Sequence, residues 1–161
     1  SDNFPKSVGQ IPFAFPFKPG SDESSETSVY GALYPFGHGL SYTTFQYSDL
    51  VISPSKQGVQ GNISISCTIK NIGQREGDEV VQLYLRDEVS SVTTYTQVLR
   101  GFERITLKPE ASHTVHFELT PQELGIWDKQ MNFTVEPGMF KVMIGSSSKD
   151  IRLKGEFEIA Q

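Results

Sequence analysis

Between Gly61 and Gly73 the chain reads GNISISCTIKNIG, and every second residue is apolar: Ile63, Ile65, Cys67 and Ile69 alternate with Ser64, Ser66, Thr68 and Lys70. Side chains of an extended strand point alternately to opposite faces, so this pattern demands a strand with one face buried and the other wet. The alternation recurs in EVVQLYLRD (Val81, Leu83, Leu85), HTVHFELT (Val115, Phe117, Leu119), MFKVMIG (Phe140, Val142, Ile144) and IRLKGEFEIA (Ile151, Leu153, Phe157, Ile159). Repeated half-buried strands belong to antiparallel sheets that lay one face on a core.

Turn chemistry separates these runs. NIGQREGD and LKPEASH are rich in turn formers, and VEPGMF places Pro137 and Gly138 for a type II turn. In TPQELG, Thr120 and Glu123 have capping-box spacing, with Pro121 at the first helical position, so a single short helical turn is expected. Many short strands and no long helix predict an all-β fold: an immunoglobulin or fibronectin type III-like two-sheet antiparallel sandwich over residues 46–161. Ile65, Cys67, Leu83, Phe117 and Phe140 are its predicted shared core. From Ser1 to about Ser28 there is no usable periodicity, and the stretch reads as an extended N-terminal arm and a loop, with IPFAFPFKPG followed by the acidic Ser21–Ser28 loop.

A chain of 161 residues suffices for one domain and an appendage. Its net charge of −5, with Lys and Arg nowhere clustered, removes the electrostatic footprint of a nucleic-acid binder. No apolar run approaches the roughly 20 residues of a membrane span, and SDNFPKSVGQ has no signal-peptide regions, so the opening reads as cut from something longer. The single cysteine excludes an internal disulfide and leaves the compartment open.

Candidate chemistry is sparse. Cys67 is in phase with three isoleucines, which favours a buried structural thiol over a reactive one. His38, His113 and His116 lack the spacing of a metal site, so no metal or other cofactor is expected. Two carboxylates facing one sugar would make a glycosidase. Glu156 and Glu158, however, belong to the wet face of the last strand, and adjacent Asp87 and Glu88 point to opposite faces of a strand. No nucleophile elbow, phosphate loop or Cys–His arrangement occurs. Trp127 is either a core ring or a sugar-stacking platform, and packing is the stronger reading because a platform calls for several coplanar rings. The sequons at Asn62 and Asn132 carry little weight.

The segment LYPFGHGLSYTTF, Leu33 to Phe45, concentrates four aromatic rings and two glycines. Taken with GDEVVQLYLRD, LRGFERITLKP and VEPGMFKVMIGSSSKDIRLKG, it closely resembles the C-terminal end of family 3 glycoside hydrolases, the β-glucosidases and β-xylosidases. FPKSVGQIP resembles the stretch those enzymes carry shortly before that end, so the resemblance runs from Phe4 to about Phe157.

The resemblance implies a fibronectin type III-like domain that follows a catalytic barrel and an αβα sandwich. In that family the nucleophilic aspartate and the acid/base glutamate lie in those two domains, so no catalytic residue carries over to this chain. The expected function is a non-catalytic accessory domain of a retaining β-glycosidase, with the barrel, the αβα sandwich and a β-linked oligosaccharide or glycoside as partners. A secreted or periplasmic parent is favoured. Residues 1–45 become an arm and interdomain strap in which Tyr34, Phe36, Tyr42 and Phe45 pack against the catalytic domains. His38, between two glycines, is the candidate for the rim of the substrate pocket. Without those domains the strap is expected to be loose. The alternatives are an autonomous carbohydrate-binding module, or an adhesion or protein-interaction domain of the same fold associating through an exposed edge strand.

Overall fold

The computed structural model of the protein describes residues 34–92 and 97–160. Two antiparallel sheets face each other. The smaller contains β1 (Phe45–Ser53), β3 (Ile63–Asn71) and β6 (Ser112–Leu119), with β3 in the middle. Register brings Ile63, Ile65 and Cys67 opposite Leu119, Phe117 and Val115, so the inward residues of both strands meet on one face. The larger sheet runs β2 (Lys56–Gly58), β10 (Ile151–Ala160), β9 (Gly138–Gly145), β4 (Gly77–Asp87) and β5 (Val98–Leu107). Short β2 is the exception to antiparallel pairing, lying parallel to β10.

The core follows the alternation. Ile63, Ile65, Cys67 and Ile69 from one sheet are buried with Val81, Leu83, Leu85, Phe140, Val142, Ile144, Phe157 and Ile159 from the other. Phe140 and Phe157 are cross-strand partners whose rings stack 5.3 Å apart, within 5° of parallel. Phe45 and Tyr47 bring β1 into the same cluster. Phe117 is inward as expected but only partly buried, because β6 is an edge strand; its ring closes the core by lying on Gly101 of β5.

Between β6 and β9 stand α1 (Pro121–Leu124) and a two-stranded hairpin, β7 (Ile126–Trp127) and β8 (Phe133–Thr134). The capping box forms: the Thr120 hydroxyl accepts from Gln122 N–H, and the Glu123 carboxylate accepts from Thr120 N–H at 2.8 Å. Gly125 N–H closes the turn on Pro121 O.

Two expectations are corrected. Gly138 does not sit in a type II turn, because its φ is not positive and it is already paired in β9 opposite Ile159. β4 does not have one wet face. It is a central strand, and Gln82 and Tyr84, which point away from the core, are buried as fully as Val81 and Leu83. Gln82 is covered by Gly37 of the segment preceding β1 and by Ser146 of the β9–β10 loop, and the Tyr84 hydroxyl bonds to Gln82.

Candidate functional site

The strap begins with a tight turn. His38 N–H donates to Pro35 O at 3.1 Å, and Gly37, third of the four turn residues, has φ +77°. That conformation suits glycine, which carries no Cβ. The turn folds Tyr34 and His38 back on one another, with ring centroids 5.2 Å apart and planes 22° from parallel.

The backbone of this turn is bound to the outer face of the large sheet. Gln82 Nε2 donates to Gly37 O at 3.0 Å and to Ser146 O at 2.6 Å, while its Oε1 accepts from the Tyr84 hydroxyl at 2.5 Å. Ser148 N–H donates to Phe36 O at 2.9 Å. Farther along, Thr43 Oγ1 donates to Asn71 Oδ1 at 2.6 Å. The expectation of a strap loose in the absence of other domains is therefore corrected at Phe36, Gly37 and Thr43, which the sandwich itself holds.

The side chains behave differently. Tyr34 is 59% exposed, Leu40 93% and Tyr42 89%, and Phe36 is also exposed. Phe45 is only 4% exposed and belongs to the sandwich core, so its placement among the interdomain-packing residues is corrected: its surface is already used inside its own domain. His38 is exposed beside Tyr34. Residues 1–33, including the Ser21–Ser28 loop, lie outside the described residues.

Between the strap and the outer face of β4 and β5 runs an open groove of about 690 Å³, bordered by Phe36, Leu40, Val80, Leu99 and Phe102 on its apolar side. Two acid–arginine pairs, Asp78 with Arg104 and Asp150 with Arg152, lie along it. Arg104 and Thr106 donate to Asp78 and hold its carboxyl below the usual range. Arg152 donates to both oxygens of Asp150, at 2.6 and 2.7 Å, with the same effect. Glu79 is pushed upward by burial. Two of the three groove carboxylates are thus tied to arginines, and a carboxylate pair free to act on one sugar is not formed there.

The remaining candidates are dispersed. The Cys67 thiol is buried in the core and pushed up to about 11 by desolvation, which makes it a poor nucleophile. His113, exposed at the start of β6 on the side that carries Val115 and Phe117, lies 3.5 Å from Glu103, and His116 is exposed on the opposite side of the strand. Glu158 pairs with Lys56 at 2.8 Å and Glu156 is exposed. Glu88 pairs with Arg86 and Lys141, while burial raises Asp87. Asn62 donates to Glu118 at 2.7 Å and Asn132 sits at the β7–β8 tip. Among the described residues no cluster of three His, Cys, Asp or Glu groups could hold a metal ion. Trp127 is not a core ring: it is 60% exposed and meets Phe133 at 5.5 Å with a 60° tilt.

Gln82, Asn71 and Ser148, which anchor the strap, escape sequence reasoning. In an alternating strand an outward glutamine reads as solvated, and Asn71 reads as an ordinary turn residue. Only the return of a distant segment gives them partners.

Comparison with known proteins agrees with this architecture. The family model of the fibronectin type III-like domain matches residues 79–148. A periplasmic β-glucosidase of Salmonella typhimurium is 41% identical over 98% of this chain and 22% of its own length. A β-xylosidase of Formosa agariphila is 42% identical over 94% of the chain and 22% of its own length. Among solved structures, a β-glucosidase of Erythrobacter marinus superposes with TM-score 0.86 at 34% identity, covering 95% of this chain and 20% of that one. A β-glucosidase of Listeria innocua in complex with glucose gives 0.85 at 31%, covering 99% and 24%. The chain spans about a fifth of the length of these relatives. By fold, motifs and sequence, it carries a fibronectin type III-like domain matching the C-terminal portion of the family 3 glycoside hydrolases.

Proposed function

We propose that this chain is the non-catalytic accessory domain of a retaining β-glycosidase that removes terminal β-linked glucose or xylose, and that its strap packs against the catalytic barrel and αβα sandwich. The observation that carries the reading is the division of labour within the strap. Its backbone is fixed to its own sheet, while Tyr34, Phe36, Leu40 and Tyr42 turn apolar surface outward. Rings that bury about 150–250 Å² each are costly to leave in water, and a rigid outward row of them suits a junction. The neutralised charge pairs of the adjoining groove fit an uncharged neighbour. The name of the periplasmic relative supports an exported parent.

Two measurements test this. The purified chain should not turn over an aryl β-glucoside or β-xyloside; turnover would sink the accessory reading. In a full-length enzyme carrying this domain, Phe36→Ala should lower the melting temperature while kcat/KM of the folded enzyme stays nearly unchanged. His38→Ala should lower kcat/KM at unchanged stability if His38 reaches the pocket rim; no change in either quantity would remove it from that role.

Exposed Trp127 favours a second reading, an autonomous carbohydrate-binding module. The 60° tilt of Phe133 against it speaks for a single stacking ring rather than a flat platform. Retention of the chain by insoluble β-glucan or xylan, abolished by Trp127→Ala, would establish that alternative; no retention would dismiss it.

A further inference from the structure

Gln82 is a buried polar side chain whose amide nitrogen and carbonyl oxygen are both engaged, and its partners come from three places. Gly37 O belongs to the strap, Ser146 O to the β9–β10 loop, and the Tyr84 hydroxyl to its own strand. The fit leaves no room for alternatives at the strap: a Cβ on Gly37 would lie 2.0 Å from Gln82 Oε1. Ser148, in the same loop as Ser146, adds the bond to Phe36 O, so two consecutive strap carbonyls are captured. A glutamine buried on the face of a strand that solvent would otherwise wet loses hydration, and only complete hydrogen bonding offsets that loss.

We propose that Gln82 is the positioning residue of the strap: it fixes the turn at Gly37, and with it the stacked Tyr34–His38 pair, before any partner is present. The strap then docks as a pre-formed edge. Docking spends no free energy on ordering that turn, which is the usual gain from preorganisation. The purpose of the lock rests on the reading of the strap as a docking element; its existence does not. The same lock explains two features of the sequence that periodicity leaves without meaning, the Gly between Phe36 and His38 and the Gln between Val81 and Leu83.

The test uses the 161-residue chain alone. Ser148 N–H is a reporter located on the sandwich whose hydrogen-bond acceptor is the strap, and the His38 ring protons report stacking on Tyr34 through ring-current shifts. In the native chain the Ser148 amide should be protected from hydrogen exchange and the His38 protons shifted from their random-coil positions. Gln82→Met, which keeps length but removes both donors, and Gly37→Ala, which drives a methyl into the Gln82 amide, should each abolish the His38 shift. Each should also speed Ser148 exchange by about tenfold or more while core amides of β3 remain protected. An unprotected Ser148 amide in the native chain, or a folded Gln82→Met chain with both reporters unchanged, would overturn the proposal. Should Gln82→Met fail to fold, Gly37→Ala decides alone, since it alters the strap and not the sheet. Docking is tested separately: a locked strap whose Tyr34 stays solvent-exposed in the full-length enzyme would refute the accessory reading and leave the lock standing.

Discussion

Asn71 shows how much one polar side chain can hold together when all of its groups are used. Its Nδ2 donates to Arg75 O at 2.7 Å and Leu107 O at 2.8 Å, and its Oδ1 accepts from Thr43 Oγ1 and from Gly73 N–H. One residue at the end of β3 thus joins both sheets, the following turn and the strap. Asn71→Ala would remove the side-chain partner of the buried Leu107 carbonyl and of the part-buried Arg75 carbonyl and Gly73 amide, so we expect a loss of about 1–3 kcal/mol in a urea titration, against little change for Asn132→Ala at the exposed hairpin tip. Cys67 is the opposite case, a group defined by lack of contact with water. Its thiol is raised from 9.0 to about 11 in the folded state by burial. The unfolded chain therefore releases this proton first as pH rises: the contribution to stability is complete below about pH 9 and is lost on the way to 11. Thiol-specific reagent at about pH 8 should leave Cys67 unmodified until denaturant is added; rapid labelling of the native chain would show that the core opens there.

Among the elements, the two phenylalanine positions β6 Phe117 and β9 Phe140 separate phase from burial. Both alternate correctly, yet β9 is an interior strand and β6 an edge. Phe140→Ala should cost about 3–5 kcal/mol, whereas Phe117→Ala, which removes a partly wet ring resting on Gly101, should fall clearly below that range. Equal losses for the two would mean that the edge is better covered than its exposure suggests. The β7–β8 hairpin is stiffened by Asp128, whose Oδ1 accepts from Gln130 N–H at 2.8 Å and Asn132 N–H at 2.9 Å. Phe133 spreads over Gly125 and leaves the indole of Trp127 outward. Since Trp127 is the sole tryptophan, intrinsic fluorescence of the chain should show the red-shifted emission of a hydrated indole and ready quenching by acrylamide. A blue-shifted, unquenched emission would place that ring against something.

For the molecule as a whole, the strap and the sandwich respond to different perturbations. Tyr42 is 89% exposed and extends into solvent. In the isolated chain Tyr42→Ala should therefore change unfolding free energy by no more than about 0.5 kcal/mol, even though the same change is expected to weaken a full-length enzyme. A large loss in the isolated chain would show that the ring is already packed within this domain and is not reserved for a neighbour. In the groove, Asp78 is paired with Arg104 and Asp150 with Arg152, while Glu79 accepts from Val80 N–H.

Local alternation alone determined β3, β4, β6, β9 and β10 and their inner faces, because a residue's side in an extended chain depends only on parity, and the capping box alone determined the short helical turn α1; β1, β2, β5, β7 and β8 carry no such signal and were decided by pairing. Resemblance of the motifs pointed to the fibronectin type III-like domain and to its β-glucosidase and β-xylosidase relatives. Tertiary structure decided everything that depends on a distant partner. It determined that Gln82 and Tyr84 are buried on the wrong parity for a wet face, that Phe45 is core and not junction, that Trp127 is outward, and that the strap is held by its own sheet. These outcomes turn on which segment returns to cover which face, and no window of neighbouring residues contains that information. A hydrogen bond between residues 37 and 82 exists only after the chain has closed the intervening loops, so its donors and acceptors look like solvated polar groups until the fold brings them together.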